Sequence, residues 1–245
     1  MDMHSSVDAA PNPVRDGTGL QAVLWDMDGT LVDTEPYWIQ GEIELVTAHG
    51  GSWSQEQAEA LVGQSLVHSS SVLQSAGVEL STREIIDHLL GHVVRSVRRR
   101  IPWRPGARQL LADLKAAGVR CALVTMSEKP LAEEIRSQLP RDTFDFLVTG
   151  DMVERGKPHP EPYETALELL QQRNPAASVD NVVALEDSYP GVSSAQAAGL
   201  ITVGIPHFIP LPDDDGRTHW DTLDGRSVAD VQNLVDQRST MARVG

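Results

Sequence analysis

Five short apolar, β-branched runs limit what this chain can fold into: 22–26 (AVLWD), 120–125 (RCALVT), 144–150 (FDFLVTG), 181–187 (NVVALED) and 200–205 (LITVGI). Between the later runs lie segments of helical period. In 105–118, Leu110, Leu111 and Leu114 share one face and the pattern stops at Gly118, a helix C-terminus signal. Segments 129–139, 161–172 and 190–199 read as helices on the same grounds. Strands that alternate with helices are parallel and joined by crossovers. Runs apolar along their whole length fit strands covered on both faces. The expected class is α/β, built on a parallel sheet.

One interval breaks this rhythm. About seventy residues, from Val32 to Trp103, separate the first strand from the next helix–strand unit, far more than a crossover requires. The interval is nearly strand-free. Segments 35–50, 54–63 (with Ser54 as N-cap), 65–77 and 81–100 read as helices, and the prolines of 101–106 mark a linker. A helical module is therefore inserted directly after the first strand. There it would sit over the edge of the sheet where ligands bind in open α/β folds.

Parallel strands point their C-terminal ends at one edge, and here those ends carry chemistry. The first strand ends at Asp26 and Asp28, the second at Thr125 with Ser127 close behind, and the fourth at Glu186 and Asp187. Lys157 stands in RGKPHPEPY, ahead of a helix. Crowded carboxylates repel unless a cation neutralises them, and hard oxygen donors favour Mg2+ shared with a phosphate. A carboxylate beside such an ion can attack phosphorus. Asp28 is spaced to protonate the leaving oxygen and then deprotonate a water. A lysine offsets the phosphoryl charge and the mutual repulsion of the carboxylates, Thr125 can donate to the phosphoryl oxygens, and Gly29 permits the turn after the strand. Phosphoryl transfer needs mainly positioning and charge neutralisation.

A chance D-x-D-G-T in a chain of this length occurs on the order of once in a few hundred sequences. The ordered series of D-x-D-G-T, apolar-Thr, Lys-Pro and apolar-Glu-Asp, each at an element boundary, is far more specific. With DMDGTLVDTEP, LVTMS, GKPHPEPY and VALEDSYPG in that order over residues 20–205, the chain resembles the haloacid dehalogenase superfamily of phosphatases. It is most similar to the helical-cap subgroup containing sugar-phosphate phosphatases and β-phosphoglucomutase. The resemblance implies a Rossmann-like core (19–33 and 104–245), an α-helical cap (34–103), Mg2+ dependence and an aspartyl-phosphate intermediate. It further implies Asp26 as nucleophile, Asp28 as general acid/base, and Thr125 and Lys157 as phosphoryl-binding groups. Asp26, the backbone carbonyl of Asp28 and Asp187 would ligate the ion, with Glu186 bound to it directly or through a neighbour. Gly29, Thr30, Ser127 and Gln64 complete the expected substrate-binding set. Two residues depart from the common pattern: Trp25, expected to act as an apolar plug, and Met126, which leaves only a backbone donor at its position.

Each residue has a plainer reading when taken alone. Asp26-x-Asp28-Gly29 is an Asp-Gly turn, Thr125 a strand residue, Lys157 a solvated loop lysine, and Glu186-Asp187 helix-capping acids. Only the combination shifts the balance. His88 and His92, at i,i+4, could clasp a metal but lack a third ligand and read as surface or interface histidines. Arg98-Arg99-Arg100 reads as a solvated helix end. Tyr37, Trp38, Gly63 and Ser65 fall where relatives place cap residues, although both aromatics could equally pack the cap. Asp213-Asp214-Asp215 reads as an exposed loop, and 227–236 as a terminal helix.

Composition excludes several other classes. A net charge of -15 opposes a nucleic-acid partner. No stretch approaches a membrane span, and residues 1–18 read as a disordered leader without an apolar signal core. The single cysteine, Cys121, fits a buried residue in a reducing compartment. The expected partner is a small phosphorylated substrate, and the expected setting a cytoplasmic monomer or weak dimer. A phosphomutase on the same scaffold is the alternative. A receiver-like signalling domain fits less well, because it needs neither the insertion nor a second aspartate.

Overall fold

A computed structural model describes residues 19–212 and 216–244. The leader expected at 1–18 and the loop expected at 213–215 lie outside the described residues. In chain order the elements are β1 (Ala22–Trp25), α1 (Glu35–Ala48), α2 (Gln55–Glu59), α3 (Leu66–Ser75), α4 (Thr82–Arg99), α5 (Ala107–Ala116), β2 (Arg120–Val124), α6 (Lys129–Ser137), β3 (Leu147–Val148), α7 (Glu161–Gln171), β4 (Val182–Glu186), α8 (Tyr189–Ala197), β5 (Ile201–Gly204), β6 (Thr218–His219) and α9 (Val228–Val244). A single 3-10 turn spans Gly150–Met152.

The described strands form one parallel sheet in the order β3-β2-β1-β4-β5-β6. This is the α/β Rossmann-like fold expected, with one further strand, β6, that its two residues do not announce. Strand β1 lies at the centre, and the chain order reverses between β1 and β4, where open α/β sheets leave a crevice. The period-2 alternation divides the strand side chains between two cores. Val23, Trp25, Cys121, Leu123, Val183 and Leu185 face Leu110, Leu111, Leu114, Leu131, Ile135, Val231 and Val235 from α5, α6 and α9. On the other face, the small Ala22, Ala122 and Ala184 let α7 and α8 approach, so Tyr163, Ala166, Leu170 and Ala195 pack there. Trp25 is wholly buried, as expected of a plug. Cys121 is a buried free thiol, and burial pushes its pKa up to about 12, which keeps it inert.

Helices α1 to α4 occupy the long interval. Ser54 caps α2 as expected, and Ser81 caps α4 in a reciprocal box with Glu84. Helix α4 serves two cores. Its Ile85 and Leu89 join Leu45, Val46, Leu73 and Val78 in a cluster of their own. Leu90, Val93 and Val97, further along α4, join the core of the sheet. Arg83 forks onto Glu128 at 2.8 and 3.0 Å, and Arg98 pairs with Glu134 at 2.7 Å, so ion pairs flank the α4–α6 contact. Helix α2 is shorter than 54–63 because the chain turns at Gly63, φ 75°. Helix α9 runs past the expected 236 to Val244. The segment expected as a strand over 144–150 is regular strand only at Leu147–Val148, although the Asp145 N–H and the Phe146 carbonyl already bond to β2, and Phe144 and Phe146 fill the two cores.

Glu42 is 6% exposed in the middle of α1, with the Trp53 indole N–H facing it short of an aligned hydrogen bond. Burial raises its pKa to about 7. The folded chain thus holds this proton more tightly than the unfolded chain. The resulting stability is complete below about pH 4.5 and lost as pH rises through about 7. Glu42→Gln, which cannot ionise, is expected to leave the melting temperature unchanged near pH 4.5. At pH 8 it should raise it by several degrees, on the order of 1–3 kcal/mol. Thermal melts across that range check this, and a constant difference between the two chains would refute it.

Candidate active site

The strand register builds the site. Trp25 is level with Leu123 on β2 and with Leu185 on β4. The next residue of each strand therefore brings Asp26 beside Val124 and Glu186, and the Asp26 N–H donates to Leu185 O at 3.0 Å. Apolar strands end in acids here because the sheet edge is the first point where a polar side chain need not enter a packed face.

Lys157 reaches this row from the loop before α7. Its Nζ donates to Asp26 Oδ1 at 2.7 Å and to Val124 O at 2.9 Å, and pairs with Glu186 Oε1 at 2.6 Å. An ammonium has three protons, and all three are committed. Burial alone would lower the Lys157 pKa, but Asp26 and Glu186 outweigh it and hold the pKa above its usual value. Glu186 Oε1 also accepts from the buried Tyr163 hydroxyl at 2.6 Å. Tyr163 was not singled out in the sequence, although it closes the quoted GKPHPEPY. Met126, the departure noted above, packs its thioether against this loop, with Sδ 3.5 Å from the Lys157 N–H.

Asp28 belongs to a second group. Its carboxyl accepts from Ser127 Oγ at 2.7 Å, from Thr125 Oγ1 at 3.3 Å and from Thr34 Oγ1. The hydroxyls expected to serve phosphoryl oxygens thus hold the Asp28 carboxyl. Burial raises the Asp28 pKa most strongly and Asp26 adds to this, while the bonds from Thr34, Ser127 and Thr125 work the other way. Glu35, which opens α1, also lies in this field. Burial first, then Asp28, Glu42 and Asp33, lift its pKa to about 8. Thr34 and Glu35 sit in the quoted DTEP, but only the fold brings them to the site.

Asp187 accepts from Thr30 Oγ1 at 3.3 Å. Gly29 lies directly against it. At φ 91°, a Cβ there would stand 2.0 Å from Asp187 Oδ2, so the position admits only glycine. Gly191 likewise leaves room for Glu186, since a Cβ would fall 1.8 Å from Oε2. Asp26, Glu186 and Asp187 each offer an oxygen within 4.8 Å of the others. Asp26 Oδ2 and Glu186 Oε2 are buried and without a hydrogen-bond partner. Burial and mutual repulsion raise the pKa values of Glu186 and Asp187. A divalent cation would satisfy the orphaned oxygens and relieve that repulsion, so the donor set fits one. Among the described residues the Asp28 side chain is not part of this cluster.

Gln64, expected among the substrate-binding residues, is exposed after α2, and among the described residues no hydrogen bond links its side chain to the carboxylates. His88 and His92 also stay apart from the site. His92 Nδ1 faces Glu44 at 3.3 Å.

A parallel sheet that gathers these carboxylates, hydroxyls and one buried ammonium at its switch point defines a class of enzyme, the phosphoric monoester hydrolases. The family model of the haloacid dehalogenase-like hydrolases matches residues 20–199, and the chain belongs to that family. It is 28% identical over 204 residues to the phosphorylated carbohydrates phosphatase of Thermotoga maritima, covering 81% of this chain and 89% of the relative. It is 30% identical over 210 residues to protein CbbY of Cereibacter sphaeroides, covering 77% and 85%. The crystal structure of CbbY from Rhodobacter sphaeroides with xylulose-(1,5)bisphosphate superposes with a TM-score of 0.77 at 27% identity, over 87% of this chain and 99% of that one.

Proposed function

We propose that this chain is a Mg2+-dependent phosphatase that hydrolyses a small phosphate monoester, a phosphorylated sugar or polyol, through an aspartyl phosphate on Asp26. The observation that carries the reading is the asymmetry of the two aspartates. Asp26 accepts from Lys157 Nζ at 2.7 Å, whereas the Asp28 carboxyl is held by the hydroxyls of Ser127, Thr125 and Thr34, and burial first, then Asp26, raises its pKa. Paired acids driven apart in this way divide the work between nucleophile and acid.

In the proposed reaction the Asp26 carboxylate attacks phosphorus and the bond from phosphorus to the ester oxygen breaks. The Asp28 proton passes to the departing alkoxide. Asp28, now ionised, takes a proton from a water that attacks the acyl phosphate, releasing inorganic phosphate and restoring Asp26. For the phosphoryl oxygens to use Thr125 and Ser127, the Asp28 carboxyl must give up those hydroxyls, which frees it to face the leaving group. Lys157 fixes the Asp26 rotamer and holds Glu186. Asp26, Asp187, Glu186 and the Asp28 carbonyl would hold Mg2+, which when bound supplies charge neutralisation for carboxylates and phosphoryl oxygens. Segment 34–103 is the cap, which excludes bulk water over a small substrate. The sugar- and polyol-phosphate reading is supported by the names of the relatives, a phosphorylated carbohydrates phosphatase among them.

The test is phosphate release over a panel of sugar phosphates, polyol phosphates, nucleotides and phosphoglycolate, with Mg2+ and with EDTA. Multiple turnovers on a sugar or polyol phosphate that stop with EDTA are expected. Isomerisation of glucose 1-phosphate without free phosphate would instead mark a mutase, and a single stoichiometric phosphorylation a receiver.

A further inference from the structure

Arg104 lies on the linker that returns from α4 to α5, pressed against the loop that follows β1. Its backbone N–H donates to Leu31 O at 3.0 Å, and its neighbour Trp103 bridges Val32. The guanidinium is half-buried, yet among the described residues no carboxylate pairs with it. Among the described residues its polar side-chain contact is Nη1 to His207 Nδ1, at 2.7 Å. Asp187 and Asp33 act on it through their fields without touching it. Arginine has no acceptor, so His207 Nδ1 must accept and Nε2 must carry the proton. That Nε2 stands 2.9 Å from Asp33 Oδ1 in a close, poorly aligned contact. Asp33, His207 and Arg104 thus form a chain of contacts that fixes the guanidinium, which among the described residues has no carboxylate in contact. A half-buried cation without an anion is costly, and a preorganised guanidinium fork matches carboxylate or phosphate.

We propose that Arg104 receives a second anionic group on the substrate, a carboxylate or a further phosphate, in addition to the phosphoryl group that reacts at Asp26. This deepens the phosphatase reading and rests on it for the first anion. His207 is a positioning residue that sets the guanidinium's orientation. The preferred substrate is then a small phosphate ester with a second negative charge, and a neutral polyol phosphate is a poorer one.

The experiment is calorimetric titration of the Mg2+-loaded protein with three non-hydrolysable probes: propylphosphonate, 3-phosphonopropionate and propane-1,3-bisphosphonate. The wild-type chain is expected to bind one of the doubly anionic probes about tenfold more tightly than propylphosphonate, the value of one charge-assisted contact. Which of the two it favours separates carboxylate from phosphate. Arg104→Gln should bring that affinity ratio close to one. Arg104→Lys, which keeps a point charge without the fork, should give an intermediate ratio and serves as the test if the glutamine variant does not fold. His207→Ala should reduce the ratio in the same direction. A wild-type ratio within about twofold of unity, or a full ratio in the arginine variants, overturns the proposal. The phosphatase reading fails by a different result: no phosphate released from any monoester by a chain that still shows the binding preference.

Discussion

Asp26→Asn is expected to abolish turnover, by on the order of 10^4-fold or more, and to eliminate covalent labelling by a phosphorylated substrate. The amide is nearly isosteric but is not a nucleophile toward phosphorus. In this site it also changes the electrostatics, because Asp26 Oδ1 accepts from Lys157 Nζ at 2.7 Å and Asp26 heads the acidic group. Losing that charge removes one of two anions on the ammonium and eases the pressure on Glu186, whose raised pKa owes most to burial and next most to Asp26. The variant should therefore fold and remain stable while failing in chemistry. Steady-state phosphate release together with acid-quench labelling reads both effects. Retained activity in Asp26→Asn would falsify the nucleophile assignment, whatever the metal dependence.

Lys157→Met should produce the largest loss of stability of any single change at the site. The side chain is 5% exposed and Glu186 is 0% exposed, so deleting the ammonium leaves two buried carboxylates and the Val124 carbonyl without their shared donor. Breaking a buried ion pair on one side costs about 3–5 kcal/mol, roughly 10 °C in melting temperature for a chain of this size. The deficit should depend on pH in a definite direction. Without Lys157, which lowers it, the Glu186 pKa rises further above its unfolded value. The stability that protonated Glu186 contributes is then present at low pH and lost as pH rises, and the gap between variant and parent should be smallest near pH 5 and widest at pH 8. Added Mg2+ should recover part of the stability, since a divalent cation can neutralise the same carboxylates. Melts of both chains at several pH values, with and without Mg2+, provide the check. An unchanged melting temperature, or full activity, would refute the role given to Lys157.

Some of this site can be read from residues alone, and some cannot. The apolar runs ending in Asp26, Thr125 and Glu186-Asp187 announce strands whose tips carry chemistry, because a parallel sheet sends all those tips to one edge. Gly29 is legible too, since a turn after a strand favours glycine. Its tighter requirement, the 2.0 Å approach to Asp187, is not. Tyr163, Thr34 and Glu35 lie in the motifs and Arg104 in the proline-marked linker, yet Tyr163 and Arg104 meet partners 23 and 103 residues away, and Thr34 and Glu35 reach Asp28 only once the loop after β1 has folded. His207 follows β5 in a stretch with no motif, and nothing local marks it. Sequence reasoning overextended the segment before β3, because Phe144 and Phe146 alternate as a strand would while filling cores that only the packed helices create.

By itself the sequence determined the class of fold, the place of the helical insertion and the residue types available for phosphoryl chemistry. All three follow from periodicity and from what each side chain can donate, accept or ionise. The tertiary structure decided which groups face one another: Lys157 shared between Asp26 and Glu186, Asp28 held by three hydroxyls, Arg104 left with a histidine and no anion. The physical reason is that charge and protonation depend on burial and distance. Those are set by strand register and by helices packing on both faces of the sheet, and a local stretch of chain does not encode them.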